Sequence, residues 1–234
     1  MNSRTILLRL SGPLQSWGTD SRFEIRRTET FPTKSGVIGL IANALGMERN
    51  EDLSELRKIR MSVRVEQPGV LLEEFQTAHP KDEKDTRITR RYYLCDAVFL
   101  CGIECDDLNL LEKIETALSH PKRPLYLGRR SCPPDFPFLI GSFDKPADLL
   151  LREYPWTGRG EKPDQAMIYS DALTGPVIRE RMDDPVSFDV HYRMHKMKKM
   201  SMASISVPDP LEESDKAFQT EIDFFNVVSS EVEE

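Results

Sequence analysis

No secretory signal is legible at the start of the chain, because the apolar run Ile6–Leu8 is short and Arg9 breaks it. No stretch approaches the length of a membrane span. Both absences point to the cytoplasm. Cysteine is scarce, with four residues in 234. Cys95, Cys101 and Cys105 fall in what reads as one strand. Six residues of strand cover about 20 Å, too far for the three to hold one metal ion. Reduced, buried thiols are expected, and no cofactor is implied. A Walker A loop is also missing, since Lys34-Ser35 precede Gly36 and no glycine stands five residues before it.

An excess of positive charge is lacking as well: 32 basic residues face 39 acidic ones, a formal charge of −7. That balance argues against nucleic acid until its distribution is considered. Nine acids and a single lysine lie between Asp209 and Glu234, which leaves 31 basic and 30 acidic residues over positions 1–208. The body is therefore neutral, and its arginines and lysines are clustered. The tail reads as a solvated, partly disordered segment; repelling stray nucleic acid or docking on a basic partner are the alternatives.

The stretch Phe31–Gly46, FPTKSGVIGLIANALG, organises the rest. It reads as a loop entering a helix, capped by Thr33 or Ser35 and closed by Gly46. Val37, Ile38, Ile41 and Leu45 form an apolar stripe, and Gly36, Gly39 and Asn43 a narrow small-residue one that admits a second backbone. Lys34 and Ser35 stand where free N–H groups and the helix dipole favour an anion. An ordinary capped core helix with a solvated lysine fits the same residues.

Thr5–Leu10 reads as a first strand. The following loop carries Gln15, Trp17, Arg22, Arg26 and Arg27, an aromatic beside amide and guanidinium groups that suits a splayed single strand. Trp17 equally suits a core anchor. Leu53–Ile59 reads as a short helix and Met61–Glu66 as a strand. Gly69–Arg91 reads as a long hairpin or arm with a charged tip at Lys81–Asp85. Tyr92–Ile103 is the strongest strand, apolar on both faces, and a helix capped by Asp106 or Asp107 follows. A strand near Leu125 would complete β-α-β-β-α-β. Next come Gly128, Arg129 and Arg130, a turn suited to phosphate, and a loop over Pro133–Gly141. Glu153–Pro163 reads as a linker or surface loop. Val177–Arg181 and Ser187–His195 read as a hairpin around Asp183-Asp184-Pro185. His191 and His195, with Tyr192 and Lys196, are candidates for acid–base work on a ribose hydroxyl.

Four blocks, GPLQSWG at 12–18, FPTKSGVIGLIANALG at 31–46, YLCDA at 93–97 and YLGRRSCP at 126–133, resemble the CasD family of type I-E CRISPR Cascade subunits. The resemblance implies an α+β fold with a ferredoxin-like or RRM-like core, within the repeat-associated RNA-binding superfamily. It implies an RNA-binding domain over 1–150 with a thumb inserted at about 67–91, a small β-hairpin region over 151–208, and the acidic tail over 209–234. The implied role is to cap the 5′ handle of the CRISPR RNA without catalysis, in contact with the backbone filament subunit and the large subunit. Target DNA is met only indirectly, and no membrane is involved. Lys34, Ser35, Arg26, Arg27, Arg129 and Arg130 are the expected phosphate contacts. Gln15, Trp17 and Tyr92 are candidates for base or ribose contacts, and Arg90 and Arg91 anchor the thumb. Members of another subtype cleave the repeat, so a metal-independent endoribonuclease is the alternative. A protein-only scaffold is a third reading.

Overall fold

The computed structural model describes residues 3–18, 24–78, 87–171 and 177–210. Arg22, the arm tip Lys81–Asp85 and the tail from 211 onward lie outside the described residues. The elements, in chain order, are β1 (Arg4–Ser11), β2 (Leu14–Gln15), β3 (Ile25–Arg26), α1 (Lys34–Leu45), α2 (Ser54–Arg57), β4 (Arg60–Gln67), β5 (Val70–Ala78), β6 (Arg87–Cys95), β7 (Val98–Cys105), α3 (Leu108–Ser119), β8 (Leu139–Phe143), α4 (Ala147–Glu153), β9 (Gln165–Ser170), β10 (Val177–Ser187) and β11 (Met194–Ser206).

Seven strands form one sheet in the order β10-β11-β9-β4-β7-β1-β8, each pair antiparallel. The fold is mixed, with most of its regular structure in strands. β7 is buried at every position, as its run VFLCGIEC requires of a strand covered on both faces. Period-two alternation assigns the faces. Ile6, Leu8 and Leu10 of β1 pack with Val37, Ile38 and Ile41 of α1 and Leu111 and Ile114 of α3. Leu7 points the other way, into a smaller cluster with Leu100, Leu150, Leu151 and Ile168 under α4. Thr33 caps α1 by accepting from the Gly36 N–H at 3.1 Å, and Gly46 closes it at φ 77°.

A second, four-stranded sheet carries the arm. β5 and β6 pair along nine residues, and β2 and β3 share the other edge of β6. Here the apolar run Tyr92–Ile103 proves to be two strands. It breaks at Asp96, whose φ of 55° lies in the left-handed region that a short polar side chain tolerates. Pro13 accepts from the Asp96 N–H, and the Gln67 amide donates to the Asp96 carbonyl. Cys95 therefore belongs to the arm sheet, while Cys101 and Cys105 lie in the core.

Two other expectations are corrected. Residues 125–134 form no strand; the position beside β1 is taken by β8, at Leu139–Phe143. Asp183-Asp184-Pro185 lie within β10 rather than at a turn, because register shifts at Met182/Asp184 and Pro185/Ser187 absorb the irregularity. The chain reverses instead between Ser187 and Met194, so Phe188–Tyr192 do not alternate along a strand. β9, β10 and β11, from the stretch 151–208, extend the main sheet beyond β4.

Candidate nucleic-acid interface

The N-terminus of α1 does hold an anion, but the chain supplies it. Asp183 accepts from the backbone N–H groups of Lys34 and Ser35, at 2.8 and 3.0 Å, and from the Ser35 hydroxyl at 2.7 Å. Lys34 is 8% exposed. Its Nζ lies 3.5 Å from Asp171 and 3.8 Å from Asp184, and Lys198 lies 3.4 Å from Asp171. Arg57 closes on Asp184. Lys34 and Ser35 are thus corrected from phosphate contacts to one side of an internal ionic network that ties α1 to β10 and β11. Removing the carboxylate with Asp183→Ala orphans these donors and is expected to lower stability by about 2 kcal/mol in urea denaturation. RNA retention by the folded protein should not change.

Gln15 and Trp17 are likewise interior. Trp17 is fully buried and its indole N–H donates to Gln15 Oε1 at 3.0 Å. The Gln15 amide donates to the carbonyls of Leu10 and Ala97 at 3.2 and 2.7 Å. A Cβ on Gly36 would lie 2.8 Å from the indole ring, so the small-residue stripe of α1 admits this ring rather than a backbone. Phe188 lies over Gly39, and only Asn43 meets main chain, donating to the Pro124 carbonyl at 2.7 Å. No base can stack on Trp17 in this arrangement.

The remaining arginines are brought together. β3 pairs in parallel with β6, which sets Ile25 beside Arg90 and Arg26 beside Arg91. The turn at Gly128 lies against the same place. Gly128 has φ 85°, and a Cβ there would sit 1.7 Å from the Ser16 carbonyl oxygen, so no other residue fits. That close approach presents Arg129, whose guanidinium stacks 4.5 Å over the Tyr93 ring and donates to the Arg26 carbonyl at 2.9 Å. Arg130 is exposed beside it, as are Arg26 at the end of β3 and Arg27 just after it.

Residues opposite one another on β5 and β6 share a face. Glu74 faces Arg91, and Tyr93, two residues on, shares that face. The Tyr93 hydroxyl donates to Glu74 Oε2 and the Gln76 amide to Oε1, both at 2.9 Å. The Gln76 and Tyr93 hydrogen bonds, then the positive charge of Arg91 and Arg129, hold the Glu74 carboxyl below its usual range. Even so, Nε of Arg91 and Nη1 of Arg129 are buried without a hydrogen-bond partner. Guanidinium groups clustered beside the exposed Arg26, Arg27 and Arg130 are chemically suited to a phosphodiester. The opposite face carries Arg90, paired with Glu73 at 3.5 Å and over Phe75 at 4.8 Å, and the half-buried Tyr92.

Tyr93 and Glu74 went unread in the sequence. The signal for Tyr93 was its parity with Arg91, hidden while the arm was read as ending at Arg91 and a new strand as starting at Tyr92. Glu74 becomes visible only through the β5–β6 register. Among the described residues, no group of His, Cys, Asp or Glu is placed to hold a metal ion, and no helix is long and apolar enough to cross a membrane.

Known proteins resemble this chain over most of its length. The family model described as CRISPR-associated protein (Cas_Cas5) matches residues 5–208. The CRISPR system Cascade subunit CasD of Escherichia coli (strain K12) is 33% identical over 178 residues, covering 65% of this chain and 78% of that protein. A chain of a solved CRISPR RNA-guided surveillance complex superposes with a TM-score of 0.76 at 30% identity, covering 92% of this chain and 98% of that one. A solved Cas protein superposes with a TM-score of 0.70 at 38% identity, covering 88% of this chain and 98% of that one. The arginine-bearing sheet, the turn clamped to it and the main sheet beneath therefore belong to a member of the CRISPR-associated Cas5 family.

Proposed function

We propose that this chain is the subunit of a Cascade-type surveillance complex that holds the 5′ handle of the CRISPR RNA without cutting it. The observation that carries the reading is the convergence of Arg26, Arg91 and Arg129, the last of them stacked over Tyr93. Arg27 and Arg130 extend the same surface. The β5–β6 arm acts as the thumb that crosses the guide, with its Arg90 and Tyr92 face turned away from Glu74. We read β4-β7-β1-β8 with α1 and α3 as a ferredoxin-like core, since their chain order is β-α-β-β-α-β. The backbone filament subunit and the large subunit are the protein partners. The name of the E. coli relative, a Cascade subunit, supports the non-catalytic role.

Labelled repeat RNA, incubated with the protein in chelator, tests the reading on paired native and denaturing gels. A shifted, intact strand supports it; a cleaved strand makes the protein a processing nuclease, and His191 and His195 the first residues to change. Each single-stranded phosphate neutralised contributes about −0.7 to the slope of log affinity against log salt. Arg91→Ala and Arg129→Ala should each weaken binding about tenfold and flatten that slope by about 0.7, measured by filter binding across a salt series. Unchanged slopes in both variants would remove these residues from the interface.

A further inference from the structure

We infer that Glu74 is the group by which this surface distinguishes RNA from DNA, an inference that rests on the RNA-binding reading above. A carboxylate is an odd residue to place among arginines that receive phosphates, since it repels the ligand they attract. A carboxylate in that place can accept a hydrogen bond from a hydroxyl group of the strand. The ribose 2′-hydroxyl is the donor that DNA lacks.

The geometry fits that use. An ionised carboxylate has about four acceptor positions. Tyr93 occupies one on Oε2 and Gln76 one on Oε1, so each oxygen keeps capacity for a further donor. Both residues orient the carboxylate from within its own hairpin, and neither is charged. Arg91 faces Glu74 across the β5–β6 pair, and Arg129 is joined to it through the Tyr93 ring that it covers. The neutral donors hold the carboxylate, and the guanidinium groups remain for a phosphate. A strand laid on these arginines brings a phosphate to the guanidinium groups and the neighbouring sugar to Glu74. With ribose, the carboxylate gains a charge-assisted hydrogen bond. With deoxyribose it only repels. Attraction to one sugar and a penalty on the other are the two halves of specificity.

The test compares single-stranded RNA and DNA of identical repeat sequence, bound to the full chain and to its Glu74→Ala and Glu74→Gln variants. The wild type should prefer RNA by about tenfold, the value of one hydrogen bond to a charged group. In Glu74→Ala the preference should fall to within about twofold, chiefly because DNA binds more tightly. Glu74→Gln loses the charge but keeps an acceptor for the hydroxyl. Both strands should bind it more tightly, with part of the RNA preference retained. Melting temperatures of the variants check the fold. An equal RNA-to-DNA ratio in wild type and Glu74→Ala, or no preference in the wild type, overturns the inference alone. Binding of neither strand by the wild type overturns the RNA-binding reading beneath it.

Discussion

Replacing Trp17 by alanine should unfold a large part of this protein's stability margin, not merely weaken a ligand contact. The side chain has no exposed surface and packs with the main hydrophobic cluster. Truncating a buried tryptophan removes its transfer free energy and leaves a cavity, together costing about 3–5 kcal/mol. Two further losses follow from its neighbours. Gln15 Oε1 loses its donor within the interior. Gly36 loses the ring that fills the space a Cβ would otherwise need. In a chain of this size the melting temperature should fall by about 6–20 °C. A stacking role would leave the fold intact and lower RNA affinity alone. Calorimetry beside RNA binding separates the two: a normal melting curve with lost binding would contradict the buried placement.

Arg64→Ala should be of similar size, for an electrostatic reason. Arg64 and Glu66 are both fully buried, and their side chains pair. Arg64 also donates to the carbonyls of Leu151, Tyr154 and Pro155 at 2.6, 2.6 and 2.9 Å. Glu66 Oε2 in turn accepts from the Thr157 N–H at 2.7 Å. The pair thus stitches β4 to the end of α4 and to the loop after it. Removing the cation strands a buried carboxylate and three carbonyl groups, which costs about 3–5 kcal/mol. Removing both charges is a different experiment. Arg64→Met with Glu66→Met should be more stable than Arg64→Ala, because no unpaired charge is left inside. Urea denaturation of the three proteins decides the matter, and a double variant less stable than the single one would show that the bonds from Thr157 to Glu66 outweigh the unpaired charge.

What the sequence disclosed was local. The cap, stripe and C-terminal glycine of α1 are all written within sixteen residues, and the structure places each where spacing puts it. The arginine turn was legible for the same reason, since a glycine and its neighbours are read together. The partners were not legible. Asp183 reaches α1 from 149 positions away, so a helix end that looks vacant in sequence is occupied in space. Trp17 and Gln15 hydrogen-bond to each other, and nothing in their spacing distinguishes an interior pair from a surface one. The break at Asp96 was visible in principle, as the one charged residue in a long apolar run. Continuous apolarity hid it, because the end of β6 and the start of β7 are buried in the same cluster for different reasons. The relation of Glu74 to Arg91 depends on register, which pairs residues 17 positions apart and which a single sequence does not state.

The continuity of β6 with β7 through the Asp96 turn also has a mechanical meaning. Any force applied to the arm passes along β6 into β7, and along β5 into β4. β7 lies between β4 and β1 and is paired with both along nearly its whole length. A pull along that axis loads the two ladders in shear, so their hydrogen bonds resist together instead of opening one by one. The described strands of the arm carry many exposed side chains, yet the arm is rooted in β7, a strand buried at every position. A tug on a bound strand would be carried by the centre of the sheet before its edges felt it.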